Sequence, residues 1–309
     1  MPPSSGSPAV APGGVAIAFA LTAVYLIWGS TYLAIRFALE GGFPPFLLGG
    51  IRFLVAGGLM YVVLRGRGVA APTRGQWGNA AVMGVLLLLL GNGMVNFAEQ
   101  SVSSGMAAVA VASAPLWMGV FSALRGEHPS RIEWVGLGIG FLGVLWLNID
   151  SSLTASKAGM VALLVATLAW SFGSIWSRGR DLPPPFMTAA AQMLVGGVLI
   201  TAAGWTLGER FDGMPTLTGT LAVAYLASFG SIVAFSAYIW LLHNVRPALA
   251  GSYAYVNPAI AVLLGAWVAH ERFSASELVA MGVILLGVIA INLARARKAK
   301  PTKVAGAAA

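Results

Sequence analysis

At 309 residues the chain is 58% hydrophobic and 9% charged, with a mean hydropathy of +0.83; soluble domains carry roughly 25% charged residues, so a soluble fold is excluded and an integral membrane protein remains. With no cysteine, disulfides, thiolate metal sites and iron–sulfur clusters are excluded too. The formal charge of +8 does not indicate nucleic acid, because the excess sits in short loops and in the run ARARKAKPTK, where it orients a membrane protein.

In chain order, residues 1–14 are uncharged and rich in Pro, Gly and Ser and read as a disordered lead-in. They lack the basic start of a secretory signal, so the apolar run after them is a first span. A bilayer core needs about 20 apolar residues per helix. Spans are therefore predicted at 15–37, 46–64, 77–98, 104–124, 132–148, 156–176, 186–207, 217–242, 247–268 and 276–294, with a basic tail over 295–309. If the N-terminus is cytoplasmic, 13 of the 18 basic residues fall on cytoplasmic segments and four outside, with Arg52 left inside a span. The positive-inside rule then places both termini in the cytoplasm of a multi-pass inner (plasma) membrane protein.

The chain is written twice. EHPSRIEWVGLGIGFLGVLWLN at 127–148 recurs as ERFSASELVAMGVILLGVIAIN at 271–292, PPF at 44–46 recurs at 184–186, and Trp28 and Trp170 hold matching places. Two repeats, 15–149 and 156–294, with five spans each, must enter the membrane from opposite faces. The expected fold is thus all-α, ten transmembrane helices as two inverted five-helix repeats around a central cavity. Gly138, Gly140 and Gly143 match G-x-G-x-x-G, but lie mid-span rather than at a strand-to-helix turn, and read as small-residue helix packing instead of a dinucleotide site.

The chain resembles the drug/metabolite transporter superfamily, in particular its EamA-repeat exporters. The resemblance covers about 15–294 and rests on WGSTYLAIRFAL in the first span, GGIRFLVAG in the second and GNGMVNFAEQ in the third. SYAYVNPAIAVLLGAWVAHERFS in the ninth and the doubled Glu…Gly…Gly-Val ending complete it. It implies a ten-helix bundle around a cavity and outward movement of amino acids or similar metabolites. Small multidrug relatives carry an acidic residue in the first helix for proton-coupled export; the first span here has none.

Tyr25, Trp28 and Tyr32 share one face of the first span, and deep Trp170 is the repeat-related partner of Trp28; such stripes are core or site, and matched elements of inverted repeats meet at the central axis. Arg52 lies about 10 Å into the second span. A charge at that depth faces protein or water and needs a partner: a substrate carboxylate, an internal pair, foremost with Glu99, or the carbonyls of a helix end. Asn92, Asn96 and Glu99 fall at i, i+4 and i+7 of the third span and predict either interhelical hydrogen bonds or a cavity wall. Tyr253 and Asn257 make a similar stripe in the ninth. Pro115 and Pro258 occupy corresponding mid-span places in the fourth and ninth spans, and each is expected to kink its helix and act as a hinge.

The expected function is a secondary transporter exporting a zwitterionic metabolite, an amino acid with an aromatic or apolar side chain, by alternating access. It needs no cofactor and no metal, its partners are the substrate and the lipid bilayer, and a monomer suffices. Proton-driven efflux of cationic drugs is the alternative, and an intramembrane lipid-modifying enzyme a more distant one, since no nucleophile–base pair or paired carboxylates lie at one depth. No Asp, Glu or His lies deep in a span, so the expected movement is down the substrate's own gradient, with Glu99 at a helix end the one titratable candidate.

Overall fold

A computed structural model of the protein describes residues 14–126, 131–149, 156–245 and 253–290, except 277, 280, 281, 284 and 288. Among the described residues all regular structure is helical. Seven helices are long and apolar enough to cross a membrane: α1 (Gly14–Glu40), α2 (Pro45–Gly66), α3 (Arg74–Ala98), α4 (Ser104–Leu124), α6 (Lys157–Trp176), α7 (Pro185–Thr206) and α8 (Leu217–Leu242). Between and beyond them lie α5 (Arg131–Ile149) and α9 (Tyr253–Val268). The expected lead-in, the basic tail and much of the tenth span lie outside the described residues.

The helix starts derive from local chemistry. The orphan amides of a first turn need an acceptor. Thr73 forms a capping box with Gln76 at α3, and Thr216 accepts from the Gly219 amide at α8. Ser103 and Ser156 cap α4 and α6 in the same way. The repeated PPF motif puts Pro45 and Pro185 at the first position of α2 and α7, where a missing N–H costs nothing. Pro44 has no side-chain oxygen to cap α2, so the Glu209 carboxylate does it across the fold, accepting from the Phe46 and Leu47 amides at 3.0 and 2.8 Å.

Small residues let helices of the two repeats meet. A methyl group on Gly57 would sit 2.9 Å from the Leu194 amide nitrogen, and one on Gly197 2.9 Å from that of Leu54, so α2 and α7 touch backbone to backbone. We expect Gly57→Ala to cost about 1–3 kcal/mol, because the obstructing atoms are backbone and cannot yield. Thermal unfolding in detergent checks this; a melting temperature equal to that of the wild type would refute the contact. At the far end of α1, Gly42 turns the chain with φ +92°, and the Gly41 carbonyl accepts from the Thr216 amide at 2.9 Å. The outward faces carry exposed apolar side chains such as Phe19, Val55, Leu59, Val198 and Leu221, as a lipid-facing surface requires. Helix α5 packs chiefly on α4.

Two departures from regular helix mark the interior. The middle of α3 (Gly84–Gly93) and the middle of α8 (Leu226–Phe235) are π-helical, a rare geometry frequent at functional sites, and they occupy the third helix of each repeat. Helix α4 is interrupted at Ala112–Ser113, and a new segment starts at Ala114 with Pro115 in its first turn. Pro115 has no N–H for the Val111 carbonyl; the Ser113 hydroxyl bonds the Ala110 carbonyl, and Ser171 of α6 bonds that of Ala114. By contrast, α9 runs without interruption through Pro258.

Candidate functional site

Helices α1, α6, α8 and α9 together build a cluster of rings at the centre of the bundle. Trp28 lies 5.8 Å from Trp170 in an edge-to-face arrangement, 4.9 Å from Tyr238 and 5.1 Å from Tyr253, ring centre to ring centre. Phe235 flanks both tryptophans at 6.4 Å. Such spacings are favourable for ring pairs. The Trp28 indole N–H donates to the Gly230 carbonyl at 3.2 Å, which fixes the ring's orientation.

Against these rings lies a cavity of about 70 Å³. Helix α1 supplies Trp28, Thr31, Tyr32 and Ile35; α3 supplies Gly91, Asn92 and Val95; α9 supplies Tyr253 and Asn257; and Arg52, Val111, Ala166, Trp170 and Phe235 complete the wall. Small-molecule sites usually enclose about 300 Å³ or more, so a metabolite enters only when these walls move apart.

Arg52 is 4% exposed. Its Nε donates to the Ser231 hydroxyl at 2.7 Å and its guanidinium lies 4.8 Å from the Phe53 ring centre. Gly230 makes room for it, since a methyl there would stand 3.0 Å from the guanidinium. Among the described residues no carboxylate pairs with Arg52, and the expected Arg52–Glu99 pair is absent. The reason is depth: Arg52 is directed to the cavity, whereas Glu99, just past the end of α3, faces a separate vestibule.

Of the sequence-derived pathway residues, Trp28, Tyr32, Arg52, Asn92, Trp170, Tyr253 and Asn257 meet at the cavity. Three do not. Asn96 is 1% exposed and donates to the Pro45 carbonyl at 3.1 Å, holding α3 to the start of α2. Tyr25 stands outside the wall; with the Asn257 amide turned so that its nitrogen meets acceptors, that nitrogen donates to the Tyr25 and Tyr253 carbonyls at 3.2 Å. Glu99 belongs to the vestibule. Thr31, Ile35, Val95, Ser231, Phe235 and Tyr238 also belong to the site, and sequence reasoning missed them. For Phe235 and Tyr238 the i, i+3 aromatic spacing on α8 is the available signal; Thr31, Ile35 and Val95 carry none.

The vestibule, about 1210 Å³, opens at the end of the bundle that holds the α1–α2, α3–α4 and α7–α8 connections, here the distal end. Arg36 Nη1 meets Glu271 at 2.7 Å and its Nε meets Glu40 at 2.8 Å. The same Glu271 carboxylate accepts from the Ser104 amide and hydroxyl and from the Gly105 amide, an anion at a helix N-terminus. Burial, reinforced by the Glu271 charge, pushes the Glu99 carboxyl well above the ordinary carboxylate range, against the opposing pull of Arg36.

The EamA-like transporter family matches this chain twice, over residues 15–149 and 157–293. The chain belongs to that family. YedA of Escherichia coli strain K12, named an uncharacterized inner membrane transporter, is 46% identical over 277 residues, covering 89% of this chain and 90% of its own. YvbV of Bacillus subtilis strain 168, named an uncharacterized transporter, is 26% identical over 293 residues, covering 91% and 93%. A solved crystal structure, 24% identical, superposes with a TM-score of 0.67 over 91% of this chain and 99% of its own, and so shares the fold. As an EamA-like protein the chain is a membrane transporter of two sequence repeats.

Proposed function

We propose that this protein exports a small carboxylated metabolite, an amino acid with an aromatic or apolar side chain, across the bacterial inner membrane by alternating access. The observation that carries this reading is a buried guanidinium without a carboxylate partner among the described residues, on the wall of an aromatic cavity. Arg52 binds the substrate carboxylate, the rings of Trp28, Trp170 and Tyr253 receive the apolar body, and Asn92 and Asn257 supply amide contacts. A cationic drug would meet the Arg52 charge without a compensating acid in the cavity wall among the described residues.

Ten helices in two inverted repeats, both termini cytoplasmic and the distal end exterior, complete the proposed architecture. The break before Pro115 in α4 and Pro258 in α9 are the proposed bending points. A monomer working without a cofactor completes the proposal.

The test is counterflow of labelled L-phenylalanine in liposomes with purified protein. Charge-assisted hydrogen bonds contribute about 1.5–3 kcal/mol, so Arg52→Gln is expected to weaken half-saturation by roughly tenfold to a hundredfold. Phenylethylamine, which lacks the carboxylate, is expected not to compete. Competition by the amine equal to that by the amino acid would reject the carboxylate assignment, and uptake of a cationic dye in its place would favour drug efflux.

A further inference from the structure

Glu99 is a buried acid that substrate recognition leaves unused. It is 6% exposed, and neither of its oxygens has a hydrogen-bond partner among the described residues. The carboxylates around it are accounted for. Glu40 and Glu271 share Arg36, Glu209 caps α2, and Asp212 is exposed to solvent. The charged and titratable groups facing Glu99 are Arg36 and Tyr32 from α1 and Glu271 from the segment after α9, with Glu209, Arg210 and Asp212 across the vestibule from the α7–α8 connection. Arg36 is already committed to Glu40 and Glu271.

Position gives this acid a task. Glu99 stands one turn beyond Val95, and Arg36 one turn beyond Tyr32, and both Val95 and Tyr32 line the central cavity. The layer of α1 and α3 between cavity and vestibule is therefore the distal gate, with Glu99 on its outer side. An ionised carboxylate with no donor is costly to bury, so the packed arrangement selects the neutral form. Separating α1 from α3 would wet the group and return it to ordinary carboxylate behaviour.

We propose that Glu99 is a proton-binding site whose protonation holds the distal gate shut. The proposal rests on the transport reading, which supplies the gate. Linkage sets the sign: the closed state binds the proton more tightly, so it is favoured as pH falls and lost as pH rises through the closed-state value. Opening releases one proton to the vestibule, and acid on the distal side slows exchange. The substrate still moves down its own gradient; the proton sets the gate.

The chain has no cysteine, so a reporter pair can be introduced without removing any. Gln100→Cys at the end of α3 and Gly213→Cys in the α7–α8 connection, which is tied to α1 through the Thr216–Gly41 bond, would carry spin labels across the vestibule. In substrate-free protein the label separation is expected to widen as pH is raised from mildly acid to mildly alkaline, to remain short in Glu99→Gln, and to recover its pH response in Glu99→Asp. A separation indifferent to pH, or one that responds equally in Glu99→Gln, overturns the proposal. L-phenylalanine counterflow on the same preparations separates the two readings. Counterflow with an indifferent separation removes the proton site alone, whereas a pH-dependent separation without counterflow removes the substrate assignment and leaves the site standing.

Discussion

Trp28→Ala is expected to cut L-phenylalanine counterflow by more than about tenfold and to lower stability by roughly 3–5 kcal/mol. The indole is 9% exposed and touches four other rings drawn from three helices. Truncation removes a cavity wall and leaves a void that Trp170, Tyr238 and Tyr253 cannot all collapse into, since each is held by its own helix. Trp28→Phe separates the two contributions. It retains a ring but loses the N–H donated to the Gly230 carbonyl, so it should cost about 0.5–1.5 kcal/mol and retain measurable flux. Counterflow and thermal unfolding at equal membrane abundance provide the check. Wild-type flux in Trp28→Ala would remove the ring cluster from the substrate path.

Glu271→Ala is expected to destabilise the protein by roughly 3 kcal/mol. Its side chain is 3% exposed and joins Arg36 of α1 to the start of α4. Removing it leaves the Ser104 and Gly105 amides without an acceptor and Arg36 with Glu40 alone. Arg36→Ala should cost distinctly less, because Arg36 is 30% exposed and the carboxylate would keep three donors. Thermal unfolding of both single variants and the double variant measures the coupling. Equal losses from the two single variants would mean that the ion pair, rather than the helix cap, carries the stability. Glu209 performs the matching task for α2, so two acids of the second repeat fasten two helix starts of the first.

A regular α-helical turn along the third span would put Asn92, Asn96 and Glu99 on one face, as their spacing suggests. The structure widens the turn before it, over Gly84–Gly93, and the Asn92 side-chain amide donates to the Leu87 carbonyl. Asn92, at the end of the π segment, reaches the cavity, while Asn96, in the regular α-helical stretch Met94–Ala98 after it, bonds to Pro45. No motif announces the π segment, which packs against α6 and α7.

By itself the sequence determined what hydropathy, local capping and repetition can encode: a membrane protein, the positions of seven spans found among the described residues, a doubled chain, and a deep arginine and paired tryptophans. Those properties depend on neighbours within a few residues or on comparison of the chain with itself, and bilayer thickness converts them directly into helices. Tertiary structure alone decided the partners. Arg52 bonds to Ser231 rather than Glu99, Glu271 caps a helix 167 residues earlier, and Glu99 is buried without a donor among the described residues. Such pairings depend on helix rotation and depth, which change with one π turn or one glycine contact and leave the hydropathy of the segment unaltered.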